Sequence, residues 1–199
     1  MRVQLSPLAP LDGRVAVGYD ETMPLAICAV HQVPQFANYP LDHIVSFHNS
    51  TAPGPATHAF RHPFTLHSFV FDDTGDTAHP HAPTEDAIRR LLSVYVPMGL
   101  NHNVLFHCMG GVSRSTAAAF IWLVYRGMAY ADAYQTVVNA RGAFVCPNQL
   151  MVKLADDLMG RAGEMHAFVV AENLRREPDR AAFFKQHGAD AHLLGSRQQ

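Results

Sequence analysis

The sequence predicts an α/β domain with a mostly parallel central sheet flanked by helices. Three observations predict it. Short β-rich runs come early, a strand–loop–helix unit stands at the centre, and helical patterns fill the second half. A chain of 199 residues is long enough for one domain with a full core. Its composition, 48 % apolar and 16 % charged, is that of a globular protein.

The elements follow in order. Residues 14–19 and 25–30 read as short strands broken by Pro and Gly. Residues 43–48 (HIVSFH) and 65–71 (TLHSFVF) read as two more, and the second runs into the turn-rich DDTGD. Thr84 is placed to cap a helix with Glu85 and Asp86 in its first turn. Ile88, Leu91, Leu92 and Tyr95 then share one face, and Pro97 and Gly99 end it. Residues 103–107 (NVLFH) form a short apolar strand suited to a central, doubly covered position. Residues 115–126 are apolar almost all round, which predicts a helix buried at the domain centre. Residues 130–141 carry Tyr134, Val137 and Val138 at helical spacing and stop at Gly142. Pro147 opens a further helix with Met151, Leu154, Ala155 and Leu158 on one face, ending at Gly160. The tail from Glu164 holds one or two helices split near Pro178, and residues 195–199 fray.

Bulk properties exclude several functions. A formal net charge of −2 gives no broad basic surface, so nucleic acid is not expected as a partner. No apolar run is long enough to span a bilayer. The opening MRVQLSPLAPLDGR lacks the apolar stretch of a secretory leader, so a cytoplasmic location is expected. Cys28, Cys108 and Cys146 give no disulfide framework, and a reducing compartment keeps Cys108 a thiol. Cys28 and Cys146 read as small core residues, with a reversible disulfide to Cys108 under oxidant as the alternative. His58, His62, His67, His79 and His81 do not repeat a zinc-ligand spacing, so neither metal nor cofactor is expected. Phe64, Phe69 and Phe71 read as core. The sequence implies no particular oligomeric state.

The chemistry concentrates in His107-Cys108-Met109-Gly110-Gly111-Val112-Ser113-Arg114-Ser115. Between a strand ending at His107 and a helix starting near Ser113, the chain must curl tightly. Gly110 and Gly111 permit backbone angles closed to other residues. Such a curl turns its amides inward as an anion nest, and the following helix adds its positive end. Inward dipoles favour a thiolate at Cys108, hence a nucleophile. The planar fork of Arg114 binds two oxygens of a phosphate, and Met109, Gly110, Gly111, Val112 and Ser113 supply the rest of the cradle. The Ser115 hydroxyl is placed to stabilise the sulfur as it leaves. His107 is expected to order the loop by hydrogen bonding.

This segment resembles the signature H-C-x5-R-[S/T] of the cysteine-dependent protein tyrosine phosphatases. The form H-C-x-x-G-x-S-R-S resembles their compact dual-specificity branch and its bacterial and phage relatives. The likeness extends through residues 115–125 and through Arg141 and Pro147-Asn148, covering roughly residues 41–158. It implies a catalytic domain over residues 1–160 and a helical extension over 161–199. It also implies a general acid from an Asp on a loop before the central strand. Aligning FDDT with the family favours Asp73, about 35 residues before Cys108, with Asp72 and then Asp76 behind it. Asn148 orders the loop or a water, or caps a helix; Arg141 buttresses the loop, or is a helix-end cation. The implied activity is hydrolysis of phosphorylated protein or peptide through a cysteinyl-phosphate. Phosphotyrosine is preferred, and phosphoserine and phosphothreonine are alternatives. Inositol phosphates are disfavoured because the loop interior carries no Lys or second Arg. Two rival readings remain at this level: a non-catalytic phosphate-binding module, and a rhodanese- or arsenate-type thiolate enzyme.

Overall fold

Four short runs rich in β-branched and aromatic residues pair into one sheet: β1 (Leu25–Ala29), β2 (His43–His48), β3 (Thr65–Val70) and β4 (Val104–Cys108). The computed structural model describes residues 25–49, 51, 60–142, 145–178 and 181–182. Within them the sheet is parallel throughout, in the order β1-β4-β2-β3. All five residues of β4 are buried, as an interior strand covered on both faces requires. Parallel pairing sends every strand out at the same edge. The segments after β1, β3 and β4 therefore meet there, where α/β sheets place their sites.

Alternation along the strands divides the core in two. One face carries Leu25, Ile27, Val45, Phe47, Phe69, Val104, Phe106 and Cys108. It is covered by α1 (Glu85–Tyr95), α2 (Arg114–Tyr125), α3 (Tyr130–Arg141), α4 (Gln149–Met159) and α5 (Glu164–Arg175). The other carries Ala26, Cys28, Ile44 and Leu105 beneath Val33 and Phe36 of a 3-10 helix (Val30–Phe36), with Phe60 and Phe64 packed against it.

Thr84 caps α1 by accepting from the Ala87 amide at 3.2 Å, with Glu85 and Asp86 at the positive end of the helix. α2 is buried from Arg114 to Val124, and the Tyr95 hydroxyl donates to the Ala118 carbonyl at 2.7 Å. The buried Asp156 of α4 accepts from the Gly163 and His166 amides at 2.6 and 2.9 Å, capping α5 from its neighbour. Met165 and Val169 of α5 lie in the same core cluster as α2.

The strand edges differ from the sequence reading at β1, at β4 and at β3, which ends at Val70 rather than Phe71. β1 stops at Ala29, because the Ala29 amide takes the Gln32 side chain and the Val30 amide takes Met109 O. Cys108 is the last residue of β4, in register with Ala29. The strand expected over residues 14–19 and the end at 195–199 lie outside the described residues. No helix among the described residues is long and apolar enough to cross a membrane.

Candidate active site

The loop after β4 is held by its carbonyls. Val30 N donates to Met109 O (3.3 Å), Arg141 Nη2 to Gly110 O (3.1 Å) and Arg141 Nε to Gly111 O (2.7 Å). Cys146 N donates to Val112 O (3.0 Å) and Asn148 N to Ser113 O (3.3 Å). Successive carbonyls bonded outward leave the amides of the planar peptide units on the inner side. Among the described residues the amides of Gly110, Gly111, Val112 and Ser113 find no acceptor. A ring of such amides is an anion nest. Arg141, the last residue of α3, is thus a helix-end cation and braces the loop as well.

Only one of the paired glycines is used as the sequence suggested. Gly111 has φ +67°, and a Cβ there would fall 2.5 Å from the carbonyl carbon of Cys28. Gly110 has no positive φ. The loop crosses the end of β1 at Gly111, where backbone packs on backbone with no room for a side chain.

Ser115 Oγ lies 3.3 Å from Cys108 Sγ. Arg114 is 2 % exposed, and its Nη1 donates to Phe71 O at 2.5 Å. Its Nε finds no hydrogen-bond partner among the described residues and stands 3.7 Å from Asp73 Oδ2. The Phe71 carbonyl as an anchor for Arg114 was not readable in the sequence, since a backbone group carries no residue-type signal. Ser113 stands at the N-cap of α2, yet its side chain caps nothing. Its hydroxyl donates instead to Asp73 Oδ1 at 2.6 Å, leaving the helix N-terminus open to an anion.

The three acids of the loop after β3 separate cleanly. Asp73 faces the Cys108 loop; Oδ1 accepts from Ser113 and also from Asn148 Nδ2 at 2.8 Å. Asp72 turns to His79, 3.8 Å away, and its amide donates to His81 O. Asp76 accepts from the Ala78 amide within its own turn. Asn148 does both things open to it. Its Oδ1 caps α4 by accepting from Met151 N at 3.0 Å, while Nδ2 reaches Asp73 Oδ1 and Thr74 O.

His107 precedes Cys108 on β4. It is fully buried on the sheet face opposite Cys108, and neither ring nitrogen has a hydrogen-bond partner among the described residues. Strand alternation points the ring to the sheet face away from the Cys108 side chain. Burial first, and then the His48 charge, push its pKa down to about 4 from 6.5. The Cys108 backbone lies close enough to oppose this, without hydrogen-bond geometry. The folded state therefore holds this ring neutral, while the unfolded chain protonates it below 6.5. The stabilisation is complete above pH 6.5 and is lost as pH falls from there toward 4, amounting to about 3 kcal/mol. Urea titrations at pH 7.5 and 4.5 should show this fall in the wild type and a smaller one in His107→Gln. Equal falls would assign the proton elsewhere.

Cys28 sits one register step from Cys108 on the neighbouring strand, on the opposite face. Burial drives its thiol well above the ordinary value, with Arg141 opposing. A disulfide between the two would require the sheet edge to open. Cys146 is half-buried rather than core. His43 bridges His67 (3.2 Å) and His102 (3.1 Å) through its two ring nitrogens, in a row rather than around a point. His79 is half-buried and His81 exposed, and His58 lies outside the described residues. Among the described residues no three His, Cys, Asp or Glu side chains are placed to hold one metal ion.

No protein-family model matches the sequence, and no curated protein matches it significantly. Solved structures do. Human DUSP28 is similar at 21 % identity and TM-score 0.52, over 79 % of this chain and 99 % of that one. The Cydia pomonella PTP-2 phosphatase is similar at 22 % and 0.52, over 70 % and 88 %. The human tyrosine phosphatase-like serine/threonine/tyrosine-interacting protein is similar at 18 % and 0.50, over 70 % and 93 %. The chain thus has the fold of the compact, dual-specificity type of cysteine-dependent phosphatase.

Proposed function

We propose that this protein hydrolyses phosphomonoesters on proteins or peptides, phosphotyrosine in preference to phosphoserine and phosphothreonine, through a cysteinyl-phosphate. The observation that carries the reading is the meeting of Cys108, Ser115, Arg114 and Asp73 at one loop whose carbonyls are all bonded away from it. The phosphoryl group sits in the amide ring, with the Arg114 guanidinium stabilising its equatorial oxygens. The Cys108 thiolate attacks phosphorus, the bond to the leaving oxygen breaks, and Asp73 gives that oxygen its proton. Two donors already occupy Oδ1, so the transferred proton rides on Oδ2. Water then attacks phosphorus and passes a proton to the Asp73 carboxylate. The S–P bond breaks, and the Ser115 hydroxyl stabilises the departing thiolate.

The preference for protein esters rests on the loop. Arg114 is its single cation, which suits one phosphate rather than a polyphosphorylated headgroup, and Met109, 47 % exposed, offers an apolar edge to an aromatic ring. The test is turnover of p-nitrophenyl phosphate and of phosphotyrosine and phosphoserine peptides. Binding of phosphate without turnover would favour the non-catalytic module. Thiosulfate or arsenate turnover without phosphatase activity would favour the other thiolate enzymes. Asp73→Ala should lower kcat/KM on phenyl phosphate, a poor leaving group, by about 10²–10⁴-fold, the usual worth of a general acid. On 2,4-dinitrophenyl phosphate the loss should be far smaller. Equal losses on both would move the acid to another residue.

A further inference from the structure

We infer that Asn173, on α5 and remote from the sulfur, is a positioning residue for the general acid; this rests on the proposed function. Asn173 is 3 % exposed, and its Nδ2 donates to Pro147 O at 3.0 Å. The next group in the chain, the Asn148 amide, donates to Ser113 O at 3.3 Å. The carbonyl and the N–H of a single peptide unit are thus held from opposite sides, one by α5 and one by the phosphate loop. Because that unit is planar, two bonds fix its orientation.

The orientation is passed on. Asn148 starts from the held peptide, its Oδ1 is taken by Met151 N, and its Nδ2 reaches Asp73 Oδ1 and Thr74 O. Proline cannot donate a backbone hydrogen bond of its own, so its carbonyl is the polar handle by which α5 grips this turn. α5 thereby belongs to the catalytic apparatus, and its role is to keep Asp73 Oδ2 where the leaving oxygen arrives. An asparagine that only satisfied itself in the core would stabilise the fold without distinguishing one substrate from another.

Asn173→Leu keeps the volume and removes the donor; Asn173→Ser serves if the first does not fold, judged by circular dichroism. Each is compared with wild type on phenyl phosphate and 2,4-dinitrophenyl phosphate. Hydrogen exchange is followed at the Asp72 and Thr74 amides, which are bonded to His81 O and Asp72 O. The expected result is a further loss of roughly fivefold to tenfold on the poor leaving group relative to the good one, the scale of one net hydrogen bond. Faster exchange at those two amides should accompany it. Equal losses on the two esters, or unchanged exchange at those amides, would overturn the assignment. If the wild type turned over neither ester, the phosphatase reading would fall, and the exchange comparison would still decide whether Asn173 holds the Asp73 loop.

Discussion

Cys108→Ser is expected to abolish turnover of p-nitrophenyl phosphate while leaving inorganic phosphate bound. In the proposed mechanism the sulfur is the only atom in the loop that forms and breaks a bond to phosphorus, while the amides and Arg114 hold the oxygens. Replacing sulfur by a hydroxyl removes the nucleophile and leaves the cradle, because no carbonyl of residues 109–113 is braced by the thiol. The expected loss in kcat is about 10⁴–10⁶-fold, the scale seen when the nucleophile of a two-step hydrolase is removed. Arg114→Lys should give a different signature. Lysine has no planar fork, and it forfeits the bond from Nη1 to Phe71 O, so both turnover and phosphate affinity should fall. The removal of such an electrostatic contact typically costs about 10²–10³-fold in rate. Initial rates and calorimetric titration with phosphate separate the two variants. A Cys108→Ser protein within tenfold of wild-type rate, or one that had lost phosphate while still folded, would defeat the assignment of roles.

Local chemistry was readable in the sequence where neighbours along the chain decide it. The Thr84 cap needs only its own helix, and the apolar run VLFH followed by Cys108 needs only its own strand and loop. What stayed open was decided by distant residues. Asp72 and Asp73 are adjacent and chemically alike. They separate because the Asp72 amide is tied to His81 O while Ser113 and Asn148 take the Asp73 carboxylate. The two readings of Asn148 proved compatible, since one amide has both an acceptor and donors. The face that the His107 ring enters is set by residue alternation, and not by proximity in sequence. The reach of Asn173 to Pro147 joins residues 26 apart, and no spacing within α5 announces it.

Gly111→Ala should be a severely damaging single-methyl change. Alanine at φ +67° costs about 1–2 kcal/mol for the left-handed backbone alone. The new Cβ would also stand 2.5 Å from the Cys28 carbonyl carbon and 2.7 Å from its oxygen, which are atoms of a paired strand and cannot rotate aside. Overpacking of this kind adds about 1–3 kcal/mol, so a total of about 2–5 kcal/mol is expected. For a chain this size that range corresponds to a drop of about 4–20 °C in Tm. If the backbone yields instead, the Gly111 carbonyl must leave Arg141, the amide ring opens, and activity falls with stability. Gly110→Ala is the matched control, because that residue has no positive φ. Thermal melts and p-nitrophenyl phosphate rates on the pair decide the matter. Equal stability and activity for the two alanine variants would mean that the loop does not cross β1 as described, and the amide nest would lose its geometric basis.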